Sequence, residues 1–284
     1  MKKAKRSRRR RRRSFNAVTT FVCFALVLAA LVSAAVIFFK IGEIRVVGDN
    51  RYADDDVIEA SGIEMGQSMF LFNKFAAQNR IFAACPYIDE IQMKRTLPDR
   101  IDIIVTPCQP VAVIHSDGGY FTLDRDGKAD KQVAESETSE LDADEFVYYA
   151  PGSYVIDIKG KILEVGSGSG GEKLISVSGG TLIDPQVGKS AKFFDKESID
   201  ALFSVLITAK NNDILKDISD IDVTKVYDIT FGYMERFTVR IGSYDDIERK
   251  FKFVDAVVGA LSPNEKGTID VSDGKTGYFS QIKQ

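Results

Sequence analysis

The longest apolar run in the chain is residues 17–39, Ala17 through Phe39, with no charged side chain in it. About 20 apolar residues suffice to cross a bilayer core as a helix, so the run predicts a membrane span. Shorter patterns follow. Residues 41–47 alternate apolar and polar, as a half-buried strand does. Asp49 and Asn50 follow Gly48 as a turn, and Asp54, Asp55 and Asp56 place negative charge where a helix N-terminus favours it. A second helical stretch covers 74–85, with Phe75, Ile81 and Phe82 as its expected buried side and Pro86 as its stop. Residues 88–95 and 101–105 read as strands joined by a turn at 97–100. The order β-α-α-β-β buries one sheet face under two helices.

Beyond residue 113 the pattern becomes strand-rich. Residues 120–128 read as strand, turn, strand, and 154–163 repeat that unit. Between them 130–145 is polar and acidic and is expected to be a loop; 166–172 is Gly/Ser-rich and expected to be another. Asp195 is placed to cap a helix with Ile199, Leu202, Phe203 and Leu206 on one face. Residues 221–223, 227–231 and 237–242 read as strands. Ser243 and Asp246 have the spacing of a capping box opening a helix with Ile247, Phe251, Val254 and Val258 inward. Thr268, Ile269, Asp270, Val271 and Ser272 form the last strand the pattern supports. The tail after it shows no period, but holds the adjacent rings Tyr278 and Phe279. The fold class is α+β.

Charge sets the topology. Met1 to Arg13 holds ten basic residues and no acidic one, including Arg8, Arg9, Arg10, Arg11, Arg12 and Arg13. A basic flank keeps its end of a span in the cytoplasm. Each basic residue near anionic headgroups contributes about 1 kcal/mol. An arginine run also binds nucleic acid, but no basic folded domain follows: the chain's net charge is −3, so everything after the tail is strongly acidic. A cleaved signal peptide shares the basic start, and Val32-Ser33-Ala34 has the form of a cleavage site. Its apolar region is only about 7–15 residues, so the length here favours a retained anchor.

Candidate chemistry is sparse. The chain has one His, three Cys and no Trp. His115 stands beside Ser116, but no Gly-x-Ser-x-Gly turn presents a nucleophile. Asp124-x-Asp126-Gly127 lacks the following bidentate glutamate of a calcium loop and reads as a plain turn. The Gly/Ser loop lacks the Gly-Lys-Ser/Thr ending of a phosphate cradle. Cys85 and Cys108 are expected as separate small core residues. An oxidising compartment would allow them to pair, closing a loop worth about 3 kcal/mol in the chain-entropy model. No catalytic, metal-binding or cofactor-binding residue is assigned, and no cofactor or small-molecule substrate.

One set of positions runs in order through the stretch after the span: Ile44, Val46, Gly48, Asn50 and Tyr52; Val57-Ile58; Ser61-Gly62-Ile63 with Gly66; Pro86-Tyr87-Ile88; Lys94-Arg95 with Leu97-Pro98; Ile101, Ile103 and Val105; and Pro110-Val111-Ala112. This spread of residues resembles the FtsQ/DivIB cell-division family. The family carries Glu-Arg where Pro107-Cys108 stands here, which removes a charge pair. The resemblance implies a membrane-anchored chain with a β-α-α-β-β POTRA domain followed by a mixed β domain with flanking helices. The corresponding divisions are a polybasic cytoplasmic tail (1–16), a span (17–39), a POTRA domain (40–113), a β domain (114–272) and a C-terminal tail (273–284).

It further implies a non-enzymatic scaffold of the division complex at the septum, extracytoplasmic beyond the span, with FtsB/DivIC-like and FtsL-like proteins as partners. Two other readings compete. An anchored cell-wall enzyme predicts a cleft with perturbed carboxylates or a metal. A POTRA-containing secretion component predicts a following barrel, for which ten-residue alternating strands are lacking. Partner-binding residues are expected at Thr268, Ile269, Asp270, Val271 and Ser272, as an edge strand, and at Tyr278 and Phe279. The two rings suit either an interface or the domain's own core, and the resemblance favours the interface. Truncation after Ser272 is then expected to remove partner capture and leave the fold intact.

Overall fold

The computed structural model describes residues 7–48, 51–142, 144–168, 171 and 173–281. Asp49 and Asn50, expected in a turn, and most of residues 169–172 in the Gly/Ser loop lie outside the described residues. The chain divides into two compact units, Met1–Pro107 and Cys108–Gln284.

The first unit begins with helix α1 (Ser7–Phe38). Within it Thr19–Phe38 has a mean hydropathy of 2.9 and none of it is buried, so one helix is long and apolar enough to cross a membrane. The helical backbone runs back through Arg8–Arg13, whose side chains lie outside the described ones. Strands β1 (Glu43–Val47), β2 (Ile88–Thr96) and β3 (Arg100–Pro107) form a sheet in the order β1-β3-β2, with β1 parallel and β2 antiparallel to β3. Helices α2 (Asp54–Ser61) and α3 (Lys74–Ala84) cover one face. Alternation fixes which side chains meet them: Ile44 and Val46, Ile101, Ile103 and Val105, and Ile88 and Ile91 point inward with Val57, Ala77 and Ile81. Asn73 caps α3 by accepting from the Phe75 and Ala76 amides.

One expected core position is overturned. Ile81 is fully buried and Phe82 half-buried, but Phe75 is 66 % exposed. It occupies the first turn of α3, and the ring projects outward from the Asn73 cap.

In the second unit β4 (Pro110–Ser116) already belongs to a nine-stranded sheet, so that sheet begins before the boundary expected at residue 113. The chain then leaves this sheet to build a small three-stranded one from β5 (Gly119–Leu123), β6 (Ala129–Val133) and β7 (Phe146–Tyr149), in the order β6-β5-β7. This corrects the expected loop at 130–145: it holds β6 and a 3-10 turn at Glu135–Glu140. Polar composition is compatible with such strands because most of their side chains face solvent. Phe121 is the exception, fully buried with its ring 4.6 Å from that of Phe194. Strands β8 (Gly152–Asp157) and β9 (Ile162–Val165) return to the large sheet. Of the two similar hairpins, 154–163 is the one built into it.

The remaining elements are β10 (Ile175–Ser178), α4 (Lys196–Asn211), β11 (Ile218–Asp222), β12 (Ile229–Tyr233), β13 (Phe237–Gly242), α5 (Ile247–Ala260), β14 (Gly267–Asp270) and β15 (Tyr278–Gln281). The sheet order is β15-β14-β13-β12-β11-β10-β4-β8-β9. Helices α4 and α5 pack on one core with the sheet; Leu202, Val205 and Leu206 are fully buried, and Phe251 stacks on Phe231 at 5.4 Å. Asp195 caps α4 as its position predicts. The capping box expected at Ser243 is absent: α5 starts at Ile247 after Asp246 in a left-handed conformation, and no side chain caps it. Ser243 Oγ donates instead to Asp245, and the Ser243 carbonyl accepts from the buried Lys250 ammonium at 2.6 Å.

Candidate partner-docking edge

The two outer strands of the large sheet end it differently. Outside β9, the Ile162 amide donates to Lys189 O at 2.8 Å and the Gly188 amide to Ile162 O at 2.7 Å, while Lys161 bridges Ser190. A loop therefore covers part of that edge. At the other end β15 pairs only with β14, and among the described residues nothing pairs with its outer side. An edge strand with free backbone groups is a template for another strand.

The register is Asp270 opposite Tyr278, Ile269 opposite Phe279, Thr268 opposite Ser280 and Gly267 opposite Gln281. Side chains of successive residues alternate between the two faces. Ile269 and Phe279 point to the core, where the Phe279 ring meets Phe237 edge-on at 6.1 Å. Tyr278, Ser280, Asp270 and Thr268 share the opposite face, and Tyr278 is 60 % exposed. The connection from β14 to β15 runs past α5: a Cβ on Gly277 would come within 2.6 Å of Val257 Cγ2, so this approach requires glycine.

Carboxylates fix the connection. Asp270 Oδ1 accepts from the Ser272 amide at 2.9 Å and its hydroxyl at 2.6 Å. Asp273 accepts from the amides of Lys275 and Thr276 and from the Thr276 hydroxyl. These bonds hold the Asp273 carboxyl below the usual carboxylate range. Burial pushes the Asp270 carboxyl up, but the Ser272 bonds and then Arg240 outweigh it and lower it overall. Arg240 on β13 pairs with Asp228 at 2.5 Å and Asp270 at 3.4 Å, which ties β13 to β14 and to the connection that leads into β12.

This geometry revises the expected site. Thr268, Ile269 and Asp270 are internal, between β13 and β15, and are not an edge. Val271 is fully buried, and Ser272 belongs to the turn. The tail without a period is itself the edge strand, adding Ser280 and Gln281 to Tyr278 and Phe279. A four-residue strand with one inward ring carries too little alternation to register, but Asp273-Gly274, with Gly274 at φ 62°, was the turn signal that announces it. Phe279 serves the core and Tyr278 faces outward, so the two rings divide the roles between them.

The other singled-out residues do not converge. His115 lies within β4, exposed, with Nδ1 3.0 Å from the hydroxyl of its cross-strand neighbour Ser153. Cys85 sits in the first core and Cys108 in the second unit, and both side chains are buried. Burial, reinforced by Asp56, raises the Cys85 pKa, which keeps it an inert thiol. Cys108 donates to Asp157 at 3.5 Å. Asp124 Oδ1 accepts from the amides of Asp126 and Lys128, both at 2.9 Å, an ordinary turn.

Comparison with known proteins bears on the same two units. Residues 39–106 match the model of the POTRA domain, FtsQ-type. Cell division protein DivIB of Clostridium acetobutylicum is 27 % identical over 238 residues, 83 % of this chain and 80 % of that one. Cell division protein DivIB of Clostridium botulinum is 22 % identical over 269 residues, 93 % of this chain and 90 % of that one. Cell division protein FtsQ of Corynebacterium glutamicum is 30 % identical over 114 residues, 39 % of this chain and 51 % of that one. Apolar N-terminal helix, FtsQ-type POTRA unit and alignment across most of the DivIB chains agree: the chain carries an FtsQ-type POTRA domain and is similar along most of its length to DivIB cell-division proteins.

Proposed function

We propose that this protein is a non-enzymatic scaffold of the division complex, held in the cytoplasmic membrane by α1, which captures a partner by strand addition at β15. The observation that carries the reading is the unequal ending of the large sheet, one edge covered by a loop and the other open. Strand addition draws affinity from main-chain hydrogen bonds and specificity from alternate side chains. Tyr278 and Ser280 offer that alternate row, and the Asp270 and Asp273 turns hold the strand in place before a partner arrives. The family resemblance supplies the partner class: FtsB/DivIC-like and FtsL-like single-span proteins. The basic flank at Arg8–Arg13 favours a cytoplasmic N-terminus, with both folded units outside, and the septum as their place is what the family resemblance implies.

The enzyme reading is weaker on geometry. His115 and Ser153 are neighbours on an exposed sheet face, where water reaches both and no described side chain orients the ring's other nitrogen. The test is co-purification of the full chain from membranes of dividing cells. The wild type brings down the FtsB/DivIC-like partner, and Tyr278→Ala with Ser280→Lys loses it while the melting profile is kept. Retention of the partner by that variant places the interface elsewhere.

A further inference from the structure

The chain leaves α1 stitched to the loop that precedes α3. The Met69 amide donates to Phe39 O at 2.9 Å, the Ile41 amide to Gln67 O at 2.8 Å and the Gly66 amide to Ile41 O at 2.7 Å. The rings of Phe39 and Phe70 meet edge-on at 5.7 Å. From β2, Arg95 Nε donates to Met69 O at 2.8 Å and its guanidinium stands 5.0 Å over the Phe72 ring. The loop therefore lies at the level where the helix ends. At 1.5 Å per residue, the 20 residues of Thr19–Phe38 cover roughly 30 Å, the hydrocarbon thickness of a bilayer. The end of α1, and the loop with it, falls at the membrane boundary.

That loop and the first turn of α3 carry side chains unsuited to water. Met65 is 62 % exposed, Leu71 71 % and Phe75 66 %, with Phe70 beside them at 45 %. Single exposed apolar residues are ordinary, but a cluster in one short stretch is not. A second segment joins it. Leu97, in the β2–β3 turn, is 60 % exposed, and its neighbour Pro98 borders a shallow groove with Ala34, Ala35 and Phe38 of the helix. Two segments distant in sequence thus bring apolar surface alongside the last turns of one span. Lys74, with its ammonium 5.1 Å from the Phe75 ring centroid, adds a cationic head to an apolar body, the arrangement that suits a headgroup layer.

We infer that residues 65–75 and the Leu97 turn form a second membrane contact, in which Leu71, Phe75 and Phe70 sit in the lipid interface beside α1. The first unit then rests against the bilayer instead of swinging on a tether. Lipid is the occupant because the patch is continuous with the span and hydrogen-bonded to its end. The inference rests on reading α1 as a retained anchor.

The chain has no Trp, so a single introduced indole reports one site. Full-length Leu71→Trp and Phe75→Trp are reconstituted in phosphatidylcholine–phosphatidylglycerol vesicles. The phosphatidylcholine carries bromine either near the headgroup or near the chain end. Phe24→Trp reports the span, and Ala84→Trp, at the far end of α3, is the water-facing reference. Circular dichroism confirms each fold, and either loop variant alone suffices. The expected result is blue-shifted emission relative to Ala84→Trp and quenching strongest with bromine near the headgroup. If Phe24→Trp is quenched but both loop indoles behave like Ala84→Trp, the lipid contact is refuted while the anchor stands, and the patch serves a protein. If Phe24→Trp is unquenched, the anchor fails and the inference falls with it.

Discussion

Replacing Phe279 or Tyr278 with alanine separates the two roles of β15. Phe279 is half-buried, lies opposite Ile269 and packs edge-on against Phe237. Fully buried Phe→Ala changes cost about 3–5 kcal/mol, so a half-buried ring forfeits roughly 2 kcal/mol. In a domain of this size that lowers Tm by about 4–8 °C. Tyr278, mostly exposed and across from Asp270, leaves little behind; a surface substitution of this kind stays within about 0.5 kcal/mol. Partner capture runs the other way, lost in Tyr278→Ala at unchanged stability. Thermal melts of the full chain by circular dichroism, beside pull-down of the FtsB/DivIC-like partner, read both quantities. A Tyr278→Ala protein that melts with Phe279→Ala, or a Phe279→Ala protein that melts with wild type, refutes this division of roles. Truncation after Ser272 removes the Phe279 cover from Phe237 and therefore lowers Tm, contrary to the expectation drawn from the family resemblance.

Three further outcomes follow from the packing and charges. Ile103→Ala, at a fully buried position paired with Val46 and Met93, costs about 2–5 kcal/mol in chemical denaturation, whereas exposed Asp55→Ala costs little; equal tolerance contradicts the core assignment. His115→Ala supports division in a complementation assay; a folded but inactive His115→Ala protein restores the enzyme reading. Asp270 and Asp273 have folded pKa values below the ordinary 3.8. The unfolded chain then binds more protons, so their stabilisation is complete above that value and is lost as pH falls through the folded values. Melting temperature should drop on acidification below 3.8, and Asp270→Asn should flatten that part of the profile; an equally steep profile in the variant excludes Asp270 as its source.

Elements with many inward residues were legible in sequence. Ile101, Ile103 and Val105 mark β3 by period two, and Ile199, Leu202, Phe203 and Leu206 mark α4 by helical spacing behind the Asp195 cap. What escaped lacked such repetition. β6 reads Ala-Asp-Lys-Gln-Val, with nothing apolar in its centre, because its small sheet buries mainly Phe121. β15 buries only Phe279. Phe75 misled for the opposite reason: its spacing to Phe82 is that of a core stripe, but Phe75 stands in the first turn after the Asn73 cap, and that turn lies outside the core. β4 escaped because a proline stands at its head; Pro110 opens the strand, a position that needs no amide from the ring.

The candidate edge was half legible for the same physical cause. Sequence pattern reports what faces a core, and a docking edge is defined by what faces nothing. Tyr278-Phe279 stood out as aromatic residues in a polar tail, but only pairing shows that one ring is inward and one outward. The titration pattern points the same way. Asp228, Asp270 and Asp273 are all lowered, each by bonds to a neighbouring arginine, hydroxyl or amide. A carboxylate poised for acid–base work is tuned toward neutral pH. These are tuned away from it, so they stay charged and keep their hydrogen bonds across the whole working range. Around β14 and β15 the ionisable groups hold backbone in position, which is what the proposed addition of a partner strand at β15 would require.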